Sequence, residues 1–491
     1  MAVSFNAIPA DIRVPLTYIE FDNSGAVSGT PVMEWRVLLL GQAEADCAGE
    51  LLKPVLMNTA DQAARLWGRG SQLADMVRYA KRNSTMLEIW AMAVPDDNSA
   101  VAATGEVTLS GKCTATGVLC LYVGGRRVRV QAVGGEELAA TVARVVQAVN
   151  ADGELPVTAA VKEASPGVLT LTCKWKGATG NDIDLAVNLS TDDSFPAGLT
   201  ASCGKMASGA ADPDMENIIT AMGDTWWKAL VLPWNQKDGR VLLEEWLDAQ
   251  FGPLRQQECQ AFLAYRGTLS ETSTYGNAGN SQLVSCMGIG SIPTSPWNVA
   301  AAYALQAATS LANDPARPLQ TLELVGVMAP PREKRWSMEE RNILLYDGIA
   351  TYRIASDDTV QIEREVTMYQ TNAWGSPDPS YLDVQTVATL GYWRYAVNAR
   401  IQQKFPRHKL ADDGTAYGPG NAVVTPSVIR AELIALMREL EEKGLVENVE
   451  TFKEQLIVER NADDRNRVDV LAPPDLVNQF RIFACLTRFV L

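Results

Sequence analysis

A chain of 491 residues is too long for one ordinary hydrophobic core, and the length predicts roughly three domains. With 47% hydrophobic and 21% charged residues the composition is that of a packed globular protein, which argues against long disordered stretches. A formal net charge of -15 argues against nucleic-acid binding, because neutralising phosphates requires a basic surface.

The first residues, MAVSFNAIPADIRVPL, carry neither a basic segment nor an apolar run of the kind an export signal needs. The longest apolar run, near Val299 to Leu305, is far too short to span a bilayer. The eight cysteines are scattered with no C-x-x-C pair, and without an export signal they read as reduced, mostly buried thiols of a cytoplasmic protein.

Residues 1–25 hold Val14-Pro15-Leu16-Thr17-Tyr18-Ile19-Glu20-Phe21, whose β-branched and aromatic content predicts an extended arm. Pro15 lacks the N–H of a central strand and confines that arm to an edge. From about residue 35 strands and helices alternate. Arg36 to Leu40 reads as a buried strand, two short helices flank Gly68 to Gly70, and Met86 to Val94 reads as a second strand. Near residue 101 the pattern changes to short strands, two of them joined by Gly124-Gly125, a strong hairpin signal, with one helix over Glu136 to Asn150. This compact unit closes near residue 209.

The earlier alternation then resumes. Ala229–Leu232 and Cys259–Tyr265 read as strands, and Asp238 is placed as the cap of a helix burying Leu242, Leu243, Trp246 and Leu247. Ser295-Pro296 starts an alanine-rich helix with so little polar face that it belongs in the core. Because the pattern resumes after the interruption, residues 26–100 and 210–385 are expected to form one discontinuous α/β domain, with 101–209 an inserted β-rich α+β domain. Residues 386–491 form a C-terminal α+β domain. Its helix opens at Thr425-Pro426, buries Ile429, Leu433, Leu436, Met437 and Leu440, and stops at Gly444. The opposite face carries Arg430 and Arg438. The tail FRIFACLTRFVL, inside a terminal strand or arm 475–491, puts apolar groups on both faces of an extended segment. A strand buried in its own domain and an arm inserted into a neighbour both fit that pattern.

Catalytic patterns fail one after another. His408, the single histidine, sits between Arg407 and Lys409 and would have to serve any Ser-His-Asp triad. Met287-Gly288-Ile289-Gly290 is half of a dinucleotide fingerprint, with Pro293 where the third glycine belongs. Gly105 through Gly111-Lys112 has the wrong spacing for a phosphate loop, and Gly279-Asn280-Ser281-Gln282-Leu283 lacks the last glycine of a nucleophile elbow. Asn181-Asp182-Ile183-Asp184 offers carboxylates that a cation could use but that more commonly cap a loop. Neither a metal nor a cofactor is expected.

Three long segments carry a resemblance. They are Ser4-Phe5-Asn6-Ala7-Ile8-Pro9 through Asp22; Gly68-Arg69-Gly70-Ser71-Gln72-Leu73-Ala74-Asp75-Met76; and Arg317-Pro318-Leu319-Gln320-Thr321-Leu322 through Tyr346-Asp347-Gly348-Ile349-Ala350-Thr351-Tyr352 and Ile362-Glu363-Arg364-Glu365-Val366-Thr367. In order and extent the chain resembles the tail sheath family of Mu-like phages. The resemblance implies an α/β core that is subtilisin-like in fold only, a protruding outer insert, and an inner C-terminal domain. It implies a non-enzymatic structural subunit of the virion, made in the host cytoplasm. Such subunits stack as hexameric rings around a tail tube protein, meet baseplate and tail terminator proteins, bind no nucleic acid or membrane, and contract to drive the tube through the host envelope. Val14, Leu16, Tyr18, Phe21, Phe480, Ile482, Phe483, Leu486 and Phe489 are the expected subunit-interface residues, and Arg430 and Arg438 the expected contacts to the tube or a neighbour. The sheath of a bacterial contractile injection particle and, from another class, an α/β hydrolase are the alternatives.

Overall fold

The structure, a computed structural model, describes residues 14, 15, 17, 19, 30–414, 417, 418 and 421–490. Leu16, Tyr18 and Phe21 of the proposed N-terminal interface lie outside them. The chain divides into two compact units: Trp35–Val387, and Ala388–Leu491 together with the residues up to Glu34.

The first unit opens with β1 (Arg36–Gln42), β2 (Val55–Leu56), α1 (Ala60–Trp67), α2 (Gln72–Asn83) and β3 (Glu88–Val94). Val37, Leu38, Leu39 and Leu40 are all fully buried, as an unbroken apolar run must be when helices cover both faces of its sheet. Between α1 and α2, Gly68 adopts φ +94, and a Cβ there would come within 2.5 Å of the Glu44 carboxyl. Ser71 then caps α2 by accepting from the Ala74 amide at 3.1 Å.

Next come β4 (Thr104–Gly111), β5 (Gly117–Val123), β6 (Arg126–Ala132), α3 (Leu138–Ala151), β7 (Val157–Val161), β8 (Val168–Cys173), β9 (Leu185–Val187) and β10 (Leu199–Cys203). They form two antiparallel sheets, ordered β10-β4-β8-β7 and β6-β5-β9, and α3 packs on strands of both. Gly124 and Gly125 turn the β5–β6 hairpin with φ of +57 and +81, the two positive values such a tight turn requires. The sequence reading missed β10, whose Leu199-Thr200-Ala201-Ser202-Cys203 has little β propensity of its own and is held by pairing along β4.

The unit is completed by α4 (Met215–Met222), β11 (Ala229–Val231), α5 (Lys237–Phe251), β12 (Gln260–Tyr265), α6 (Leu269–Asn277), β13 (Val284–Gly288), α7 (Pro296–Asn313), α8 (Met338–Tyr346), β14 (Ile349–Ile354) and β15 (Val360–Arg364). These close an eight-stranded sheet ordered β15-β14-β13-β12-β11-β1-β3-β2. Its six inner strands run parallel, and β15 and β2 are antiparallel edges. On one face Leu38, Leu40, Leu230, Leu232, Ala261 and Leu263 pack with Met215, Ile218 and Met222 of α4 and Leu243 and Leu247 of α5. The other face meets α2 and α7. In α7 the alanines allow close approach and leave the helix buried along nearly its whole length.

Three details differ from the sequence reading. Asp238 is not the cap of α5: Gln236 holds that position without a side-chain bond, and Asp238 sits in the first turn, where its charge favours the helix dipole. Leu242 is exposed, because the buried face of α5 runs through Arg240, Leu243, Leu247 and Gln250. Ser295 and Thr425 occupy N-cap positions but donate and accept no cap bond, so Pro296 and Pro426 at the first turn set those helix starts.

The division between the units falls within α9 (Val384–Lys404), which the sequence reading did not find. Its apolar and polar residues interleave without a clear stripe, so periodicity gave no signal. The second unit continues with β16 (Lys409–Leu410), β17 (Val423–Val424), α10 (Pro426–Glu442), β18 (Val446–Glu447), α11 (Val449–Gln455), β19 (Ile457–Arg460), β20 (Val468–Leu471) and β21 (Asp475–Leu476). Three two-stranded ribbons result: β16 with β17, β18 with β21, and β19 with β20. Leu433, Leu436, Met437 and Leu440 bury one face of α10, Ile429 only in part, and Gly444 at φ +71 ends it. Trp393 of α9 stands edge-on to Phe452 of α11 at 5.8 Å.

Candidate functional site

In an open parallel sheet, ligands bind beyond the carboxyl ends of the strands. Here the chain fills that place with its own backbone. Gln42, the last residue of β1, donates to Asp96 just past β3 at 2.7 Å and to the Lys176 carbonyl at 2.5 Å. The Lys176 amide returns a bond to Asp96 at 3.2 Å, and the Ala178 amide donates to Asp212 at 2.8 Å. A short 3-10 turn, Ala178–Asp182, follows. Beside it Trp175 meets Trp297 of α7 edge to face at 5.4 Å, both rings nearly inaccessible to solvent. Arg266, one residue past β12, donates to the Thr294 carbonyl at 2.9 Å and faces the carboxylates of Asp182 and Asp184.

A cleft of about 300 Å³ lies along this seam, lined by Asp75, Arg78, Tyr79, Arg126, Glu154 and Asn298 among others. Its charges are largely consumed internally: Arg78 pairs with Asp75 at 2.8 Å, Arg126 with Asp152 at 3.2 Å and with Glu154, and Arg69 with Glu154 at 3.3 Å. The arrangement fastens one substructure to another instead of presenting groups to a substrate.

Burial sets the electrostatics of the seam. It pushes the Asp182 carboxyl up to about 6 against the partial relief given by Arg266, and it raises Asp184, Asp212 and Asp96 in the same direction. A carboxyl whose folded pKa exceeds its unfolded one contributes stability fully below the unfolded value, and that contribution is lost as pH rises through the folded value. For Asp182 the window runs from 3.8 to about 6. Asp182→Asn is therefore expected to stabilise the protein at neutral pH by on the order of 2 kcal/mol. It should also flatten the decline in stability between about pH 4 and about 6 in thermal melts. An unchanged pH profile would refute this.

Three of the near-miss motifs have a plain structural account. Gly105 through Gly111 lies inside β4, so no phosphate loop exists there. Among the described residues no group of three or more metal-ligating side chains forms, at Asn181 to Asp184 or elsewhere. His408 is exposed, stands edge-on to Phe405 at 5.3 Å, and makes no side-chain hydrogen bond among the described residues.

In the second unit, residues 477–490 follow β21 without joining a strand among the described residues. Their large side chains are exposed: Phe480 72%, Ile482 79%, Phe483 79%, Leu486 80% and Phe489 79%. Among the described residues the tail joins no strand of its own unit. Val14 is exposed as well. The two arginines proposed for the tube separate in character. Arg438 is exposed beside Glu441, Glu442 and Glu450. Arg430 is half-buried and donates to the carbonyls of Lys453 and Leu456, tying α10 to the end of α11. It does not share one exposed charged face with Arg438, because the short α11 folds back over its turn of the helix.

Among the described residues no catalytic set is assembled; the features that stand out are a self-filled α/β core and an exposed apolar tail. Comparison with known proteins supplies the family. Residues 208–368 match the family model of the phage tail sheath protein central domain, and residues 376–489 that of the phage tail sheath C-terminal domain. The chain is 43% identical, over the full length of both, to the Mu-like prophage FluMu tail sheath protein of Haemophilus influenzae. Among solved structures it is similar to the sheath tail protein of Desulfitobacterium hafniense, with 12% identity, a TM-score of 0.48 and coverage of 94% of this chain and 100% of that one. It is also similar to the sheath tail protein Lin1278 of Listeria innocua, with 11% identity, a TM-score of 0.49 and coverage of 91% and 93%. The chain belongs to the phage tail sheath family and is a structural protein, not an enzyme.

Proposed function

We propose that this chain is the subunit of a contractile tail sheath. Copies stack as hexameric rings around a tail tube between baseplate and terminator, and shortening of the stack drives the tube through the host envelope. Assembly takes place in the host cytoplasm and the product is part of the virion. The eight-stranded sheet serves as the family's subtilisin-like scaffold, residues 101–209 form an outer protrusion, and residues 386–491 lie toward the tube.

The observation that carries this reading is the tail. An extended segment exposing Phe480, Ile482, Phe483, Leu486 and Phe489 is an association hazard unless a partner covers it. Strand addition to a neighbouring copy covers it and keeps subunits linked while they rotate, because main-chain hydrogen bonds hold the arm. The β19–β20 ribbon supplies a fitting acceptor: two strands alone are marginal, and Ile457, Val470 and Leu471 are exposed on it. The N-terminal arm, with Val14, Leu16, Tyr18 and Phe21, is assigned the same task. Contraction is then a change between two packings of rigid bodies, the long one kinetically trapped.

Negative-stain microscopy of the purified protein at high concentration tests the reading directly. Hollow tubes are expected, with the insert as their outermost density. Protein that stays monomeric at every concentration would sink it, and insert density lining the lumen would reverse the assigned orientation.

A further inference from the structure

The basic residues of the second unit are, with few exceptions, consumed within it. Arg400 pairs with Glu432 at 3.4 Å and with Glu439, and Lys404 pairs with Glu432 at 2.7 Å. Arg460 and Arg465 share Asp412 at 3.0 and 3.3 Å, and Lys453 holds Glu450 at 2.7 Å. The turn that follows α9 departs from this pattern. Arg407, His408 and Lys409 are consecutive and exposed, and none makes an ion pair among the described residues. The turn is not loose: the Phe405 amide bonds the Ile401 carbonyl at 2.9 Å, and Lys409 is registered against Val423 in the β16–β17 ribbon. Three cationic or protonatable side chains are thus held on a fixed support in a chain whose net charge is -15.

The other end of α10 has the opposite character. Glu441 and Glu442 are exposed and make no ion pair among the described residues, and with Arg438, Asn448 and Glu450 they line an open cleft between the last turn of α10 and α11. The two surfaces are far apart. β17 leads straight into Pro426 at the start of α10, so the basic turn sits at that end of the helix and the cleft at the other. At 1.5 Å per residue the seventeen residues of α10 separate them by roughly 25 Å. One copy therefore cannot satisfy itself, and two unlike patches at opposite ends join copies head to tail, which gives rings or open polymers instead of closed pairs.

We propose that the turn Phe405–Lys409 of one copy docks into the cleft on whose rim Glu441 and Glu442 of a second copy stand, with no ion pair of their own among the described residues. The partner is a second copy of this chain, chosen by charge complementarity between two rigidly placed surfaces, so the inference rests on the self-assembly reading above. It adds to the apolar arms a polar contact that fixes register and responds to salt.

Two variants and their combination test it: Arg407→Glu with Lys409→Glu, Glu441→Lys with Glu442→Lys, and all four changes in one full-length chain. All four affected side chains are on the surface, and thermal melts report whether each variant folds; the milder Arg407→Gln with Lys409→Gln serves where reversal does not. Tube formation is followed by sedimentation at low and high salt. Either reversal alone should raise the threshold concentration roughly tenfold at low salt and change it little at high salt, the size expected of a few exposed ion pairs. The four-change chain should recover most of the loss. Reversed variants that form tubes at the unaltered threshold, or a four-change chain no better than either parent, would overturn the docking while leaving the sheath reading intact. Unaltered protein that never associates would overturn both.

Discussion

Removing residues 480–491 is expected to leave a folded, soluble subunit that no longer forms tubes. Most of the side chains concerned stand out from the subunit's own core: among the described residues Ile482, Phe483, Leu486 and Phe489 are each about four-fifths exposed and Val490 is 98% exposed. The free energy of unfolding in denaturant should therefore change by less than about 0.5 kcal/mol, as for other exposed positions. Assembly should be affected far more. Burying one large apolar side chain stabilises a contact by about 1.5–3 kcal/mol, so covering five of them outweighs the cost of ordering a short arm. Sedimentation and negative-stain microscopy would show dispersed subunits at concentrations where the intact chain forms tubes. Insoluble truncated protein would assign the tail to its own core, and persistent tubes would remove it as a linkage.

The contrast between tail and core shows which parts of this molecule the sequence makes legible. Val37 to Leu40 announced a buried strand because a parallel sheet covered on both faces needs an unbroken apolar run. Gly124-Gly125 announced a hairpin because few other pairs adopt two positive φ values cheaply, and α10 announced itself through a stripe at helical spacing. Each of these signals is local. What stayed hidden depends on partners distant in the chain. The apolar pattern of the tail fits a covered strand whether the cover is its own domain or a neighbour, and nothing in its spacing separates the two; the exposure of Ile482 to Val490 among the described residues is a fact the spacing does not carry. Arg430 looked like part of a solvated face until α11 brought the carbonyls of Lys453 and Leu456 over it. The filling of the strand ends by Lys176 and its neighbours could not be read at all, because nothing in the spacing of Gln42, Asp96 and Trp175 says that they meet.

That seam makes the second large effect. Trp175→Ala is expected to destabilise the whole of the first unit, not merely the antiparallel sheets from which Trp175 extends. Trp175 is 1% exposed, packs edge-on against Trp297 at 5.4 Å and donates its indole N–H to Thr179 at 3.0 Å. Truncating a buried tryptophan costs about 3–5 kcal/mol, and the aromatic pair accounts for about 0.5–1.5 kcal/mol of that. If the ion pairs of Glu154 and the bonds of Gln42 make the inserted sheets and the α/β core one cooperative body, the loss shifts a single unfolding transition. A tethered, independent insert would instead show a separate early transition, with the main one in place. The matching change Trp297→Ala should cost a similar amount, and the two together less than their sum, since the second truncation removes a contact already lost. Trp374→Ala is the control: that ring is 88% exposed, and its removal should stay within about 0.5 kcal/mol. Additive losses at positions 175 and 297, or a loss below about 1 kcal/mol at either, would show that the seam is a loose contact. Because neither ring reaches the surface, Trp175→Ala protein kept below its melting temperature should still polymerise, which separates the stability of the subunit from the contacts that assemble it.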